Sequence, residues 1–303
     1  MAAPAPAELA RPSLRDRWAG LEELGPTAYL ARAALATLAV LALSLVLQLA
    51  LVSRLQYWAA QTGAFNQLRK ELAHGVAPTG QVTRSGRLVP LGAPVALLTI
   101  PELGLRAVVV QGTSPEALAS GPGHLRDTVL PGQAGTSVIF GRATAYGGPF
   151  GQLHRLRPGD RFTITTGVGT ATFSVIDLRR AGDPLPPALT SDGGRVTLLT
   201  ATGPPLIPGG VLRVDADMVG AAHPAPPLLL TSVPGSQLAM GTDTSNLWIP
   251  VLLLEALIAA SIIGVVAWRT WGHAKTWVVF APVVLLLGYF LGGQFTRFLP
   301  NLL

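Results

Sequence analysis

Few residues in this chain could do chemistry, and one reactive type is missing. The 303 residues include no cysteine, which excludes disulfides, thiolate metal sites and thiol nucleophiles together. His74, His124, His154, His223 and His273 share no metal-ligand spacing. No metal and no cofactor is therefore expected, and His74, His154, His223 and His273 read first as surface or interface residues. His124 follows Pro122-Gly123 and reads as a turn residue bonded to backbone. The glycine-rich run GTSPEALASGPG (112–123) lacks the lysine and the strand-to-helix setting of a phosphate loop. Thr200 and Thr202 carry hydroxyls, but a threonine without a paired base is unreactive. Glu255 lies inside an apolar run, where an ionisable group is costly and is by default a functional-site hypothesis. It is expected to contact a membrane partner; the competing reading is a protonated side chain, or one that reaches the interface.

Composition says what must position these groups. Hydrophobic residues make up 49% and charged residues 13%, against about 25% charged in a soluble domain. The deficit points to membrane. The formal charge is +6, but the basic residues are mostly scattered arginines with no patch, so a nucleic-acid partner is not expected. Three apolar runs are predicted spans: 33–52, 247–268 and 277–293, the last short and interrupted by Pro282. About 20 apolar residues cross a bilayer as a helix, and the first run is too long and too far from the start for a cleavable signal. Arg11, Arg15, Arg17 and Arg32 precede the first span, and Arg269 and Lys275 sit between the other two. The positive-inside rule puts both groups on the cytoplasmic face. That makes 1–32 and 269–276 cytoplasmic and exports 53–246 together with a tail, 294–303.

Within the exported part, 53–94 reads as a helical stalk and linker, and 221–246 as a Pro/Ser-rich linker. Between them lie short β-type runs at 95–100, 106–111, 136–141, 161–166, 170–178, 195–201 and 210–217, broken by Gly and Pro. Several short strands with turn signals argue for a sandwich or barrel.

A family emerges from the order of these runs. IPELGL (100–105), VVVQGTSPEALASGPGHL (108–125), LPGQAGTSVIFG (130–141), GGPFGQL (147–153), LRPGD (156–160), VTLLTA (196–201) and VLRVDAD (211–217) together resemble the sortase domain over about 95–220. The resemblance implies a mainly β fold, a closed barrel outside a bacterial cell membrane, here with three transmembrane helices and a helical stalk. Sortases are transpeptidases that cut a sorting signal and pass it to an amine on the cell wall or a pilin. Their chemistry combines a cysteine nucleophile, a histidine proton donor and an arginine that steadies the oxyanion. On the family pattern the cysteine position is Ala201, the histidine position is Arg142, and the arginine is Arg213.

The resemblance therefore implies a catalytically inactive sortase-like protein acting as a binding or scaffold subunit for secreted or membrane partners at the cell surface. One alternative is a genuine cysteine transpeptidase whose Cys and His were replaced, although a single trapping change at 201 leaves Arg142 unexplained. Another is an enzyme using unfamiliar residues in the same barrel. Arg142 and Arg213 are expected to face each other beside Ala201 and to accept a carboxylate or peptide from a partner. The competing expectation has Arg142 pointing to solvent or paired with Asp177 or Asp183, with the groove vestigial.

Overall fold

The computed structural model describes residues 34, 35, 38, 39, 42–204, 207, 209–243 and 245–303. Eight strands close into a barrel in the order β1-β2-β3-β4-β7-β8-β6-β5. They are β1 Pro94–Ile100, β2 Leu105–Gln111, β3 Gly123–His124, β4 Gly135–Phe140, β5 Arg161–Thr166, β6 Gly169–Arg179, β7 Gly194–Thr202 and β8 Gly210–Met218. Alternation fills the interior: Leu98, Ile100, Ile139, Ile164, Phe173, Val196, Leu198, Leu212 and Val214 all point into one core. The Phe162 and Phe173 rings stack there with centroids 5.6 Å apart. β4 and β7 pair in parallel, with Phe140 opposite Leu199. β7 is buried on both faces along nearly its whole length, so something must cover its outer side.

Closure has one thin point, where β2 meets the two-residue β3. Helix α1, Ser53–Ala73, repairs it. Val108 N–H donates to Gln61 Oε1 at 2.7 Å, and Gln61 Nε2 donates to the carbonyls of Val108 at 3.0 Å and Ser120 at 2.8 Å. One side-chain amide thus stands in for a missing strand residue. Gly121 makes the space, since a Cβ there would lie 2.2 Å from Gln61 Nε2. The Arg106 guanidinium also sits 5.0 Å from the Phe65 ring. The segment read as a stalk is therefore a helix, but one packed on the barrel wall.

Both linkers are ordered against each other through Gln81. Its Nε2 donates to the carbonyls of Arg126 and Leu230, and its Oε1 accepts from the N–H groups of Leu229 and Leu230. Helix α2, Pro115–Ser120, starts from Ser114, whose hydroxyl accepts from Ala117 N. Helices α3, Trp248–Trp271, and α4, His273–Phe298, turn at Gly272 with φ +84°.

Three membrane spans were expected. Among the described residues two helices are long and apolar enough, Trp248–Trp268 and Ala274–Phe295. The expected span 33–52 lies partly outside the described residues. Its described end is helical at 42–47 and passes through a π-helical turn, Gln48–Val52, into α1. That end rests on α4 at Gly288 and Gly292: a Cβ there would lie 2.6 Å from Ser44 Oγ and 3.3 Å from Gln48 Cβ respectively. Small residues four apart let two helices approach in this way.

Candidate functional site: a cleft without its nucleophile

The site lies on the outer face of β7 and its neighbours, where alternation puts Arg195, Thr197, Leu199 and Ala201 away from the core. The β4 ladder runs one residue past its end, with Gly141 N donating to Leu199 O at 2.9 Å. Continuing the register from Phe140 and Leu199 sets Arg142 beside Ala201. Gly141 is required because the Phe150 ring occupies the place of a Cβ, at 2.3 Å. The Arg142 carbonyl accepts from Phe150 N at 3.1 Å, and this fixes the following loop.

Arg142 is one of the largest fully buried side chains, 1% exposed. Its Nη2 donates to Pro115 O at 3.3 Å, and its guanidinium carbon sits 5.1 Å from the Tyr146 ring centroid. Tyr146 reaches that position with a left-handed φ of +51°. Nε and Nη1 have no hydrogen-bond partner among the described residues. Burial pushes the guanidinium down to about 10, against the opposing pull of Tyr146 and Glu116. It remains charged at neutral pH. Neither expectation for Arg142 describes this placement. It does not face solvent, and Asp177 and Asp183 accept instead from Leu178 N and Arg180 N.

Arg213 lies on β8 opposite Leu199 and is partly exposed. β7 runs between it and Arg142, so the two backbones are roughly 10 Å apart across the sheet, with Leu199 and Ala201 between them. They do not face each other directly. Ala201, 8% exposed, packs with Leu118, Phe140, Leu199, Leu302 and Leu303. Beyond it opens a cavity of about 420 Å³ whose lining includes His154, Arg180, Thr200, Ala201, Thr202 and Leu303. Thr200 Oγ1 is buried with no partner among the described residues, and His154 Nδ1 lies 3.2 Å from Gly151 O. Among the described residues no hydroxyl of this cavity is hydrogen-bonded to a histidine, so no activated nucleophile is assembled there. No group of His, Cys, Asp and Glu that could hold a metal occurs among the described residues.

Two features of this face were not anticipated. The first is an ionic cluster at its other end. Asp215, 0% exposed, accepts from Arg179 Nε at 2.5 Å and Thr197 Oγ1 at 2.7 Å. Arg195 binds Asp217 through Nε and Nη2, at 2.5 and 3.0 Å. The alternation in RVDAD (213–217) was its available signal. The second is the tail. Leu302 and Leu303, 0% and 2% exposed, close over Ala201, and their carbonyls accept from Ala143 N at 2.8 Å and Ala145 N at 3.2 Å. The leucine pair 302–303, a few residues past a span, was the hint. His124 is a barrel residue rather than a site residue. It is buried, with Nε2 2.9 Å from Val129 O and Nδ1 3.0 Å from the Gln111 amide, and desolvation holds it down at about 4.

Residues 98–204 match the Sortase domain family. The match takes in the barrel from β1 to β7. Solved sortases similar to this chain include a Clostridium perfringens sortase D5 transpeptidase, at 18% identity over 54% of this chain and 99% of that one, with a TM-score of 0.45. Sortase C1 of Streptococcus agalactiae is 23% identical over 56% of this chain and 93% of its own, at TM-score 0.39. Sortase C-1 of Actinomyces oris is 26% identical over 42% and 75%, at TM-score 0.36. No curated protein matches the chain. With no cysteine in the sequence, the matched region lacks the catalytic cysteine of the sortase family.

Proposed function

We propose that this protein is a non-catalytic sortase-like membrane subunit that binds and positions secreted or membrane partners at the outer face of a bacterial cell membrane. The observation that carries the reading is Ala201 at the nucleophile position, buried beneath the chain's own leucines beside an arginine. A methyl group cannot attack a carbonyl, and Leu302 and Leu303 pack over this one.

Two further observations support a partner in the membrane. Glu255 is exposed on α3, has no ion pair among the described residues, and lies within a candidate span. A carboxylate facing lipid is costly, and a basic or hydrogen-bond-donating residue on a neighbouring helix relieves that cost. Around it Val251, Leu252, Ile258 and Ile262 are also exposed, at 45–60%. The hairpin supports the orientation too: the start of α3 and the end of α4 both lie on the barrel side, so Arg269 and Lys275 fall at the far end, where positive charge marks the cytoplasm.

The test is purification of the full-length protein from its native membrane in mild detergent, with mass spectrometry of what accompanies it. A stoichiometric partner that is lost in Glu255→Leu is expected. Recovery of the protein alone, from a preparation that retains known complexes, overturns the reading.

A further inference from the structure

The cover over Ala201 is a built contact. After α4 ends at Phe298, the chain turns back and Asn301, 0% exposed, is gripped on two sides. Its Nδ2 donates to the carbonyls of Ser236 at 2.7 Å and Leu238 at 2.8 Å, and its backbone N donates to Gly241 O at 3.1 Å. The short 3₁₀ turn that supplies those carbonyls is itself bonded to the barrel, with Thr113 Oγ1 donating to Gln237 O at 2.6 Å. Leu302 and Leu303 then enter the apolar floor made by Leu118, Phe140, Leu199 and Ala201. Arg297, in the last turn of α4, pairs with Glu116 of α2 at 3.3 Å. Backbone, amide, apolar and ionic contacts thus converge on one short segment.

The closed state also has a cost. Ordering residues 299–303 against the barrel loses conformational entropy, while the buried leucines favour closing. A contact balanced in this way can exchange.

We propose that residues 299–303 are a tethered ligand of the vacated cleft, closing it in cis and coupling its opening to the position of helix α4. The segment begins one residue after α4 ends, so a displacement of that helix by a membrane partner pulls directly on Asn301 and the two leucines. This rests on the reading of the cleft as non-catalytic and adds what occupies it. A peptide from a partner reaches Ala143 and Ala145 after the tether has left.

The absence of cysteine makes the test clean. In the full-length protein in membranes, Ala201→Cys is expected to react with a maleimide about ten-fold or more slower than Ser191→Cys, an exposed position. Adding Leu302→Asp and Leu303→Asp is expected to bring the thiol introduced by Ala201→Cys close to the rate of the exposed control. Fast labelling in the otherwise intact chain overturns the proposal, as does labelling that stays slow after both leucines are changed. If the double-Asp chain does not fold, a second pair decides. Oxidised Ala201→Cys/Leu303→Cys must keep barrel and hairpin joined after cleavage at a protease site inserted in 221–246, and separation of the fragments overturns it. No arm uses a partner. Failure here therefore leaves the co-purification result standing, and failure there leaves this one.

Discussion

On the outer face of β7 and β8, the half around Asp215 and Asp217 and the half around Ala201 arise from the same alternation, yet they meet opposite fates. At the Asp215 end every charge has a partner: Arg179 and Thr197 on Asp215, Arg195 on Asp217. At the Ala201 end the charge is Arg142, with one long hydrogen bond and two nitrogens, Nε and Nη1, unpaired among the described residues, beside an Ala201 covered by Leu302 and Leu303. A buried polar group that is fully paired holds a fold in register, whereas one left partly unpaired marks a place not built for stability alone. The comparison separates what holds this barrel together from what its cleft leaves unpaired.

The ionic half should break hardest. Asp215→Ala leaves the Arg179 guanidinium and the Thr197 hydroxyl without their acceptor. Removing one partner of a buried pair costs about 3–5 kcal/mol, and that loss should appear as an early midpoint in denaturant titration of the full chain. Equal loss from Arg142→Ala and Asp215→Ala would erase the distinction between the two halves.

Acid probes the wall next to the cleft, where His124 of β3 pairs with Ile139 of β4. Its folded value is near 4 against 6.5 unfolded, because burial disfavours the charged ring. The unfolded chain takes up this proton first, so stability falls as pH drops from about 6.5 to about 4, by about 3 kcal/mol in all. Thermal melts across that window check the slope, and His124→Gln should flatten it.

The apolar half should yield locally rather than globally. Leu302→Ala removes packing worth about 2–3 kcal/mol from a segment that can detach by itself. Hydrogen exchange should quicken at the Ala143 and Ala145 amides, which donate to Leu302 and Leu303, while the β7–β8 ladder stays protected. The smallest effect is expected at Arg142→Met. Exchanging an under-satisfied buried cation for an apolar side chain of similar length is neutral or stabilising by about 1–2 kcal/mol, so its melting midpoint should hold or rise.

Much of the barrel was legible because strand alternation is local. The run 161–166 became β5, 195–201 lies within β7, and 210–217 lies within β8. The two-residue β3 was invisible, since Gly123 and His124 carry no periodic signal. The packing of α1 rests on Gln61, and one glutamine on a polar helix has nothing to mark it. Motif order singles out positions 142, 201 and 213, but it says nothing of their surroundings. What buries Arg142 comes from Pro115 and Tyr146, and what buries Ala201 comes from residues 302 and 303. Contacts between distant parts of a chain leave no pattern in either part.

The central claim is that this cleft binds and does not cut. It is tested most directly by incubating the full-length protein in membranes with a peptide library and hydroxylamine as the amine acceptor, followed by mass spectrometry for peptide hydroxamates. The account predicts none above a protein-free control. Hydroxamates that form with the intact chain and disappear in Arg213→Ala would contradict it.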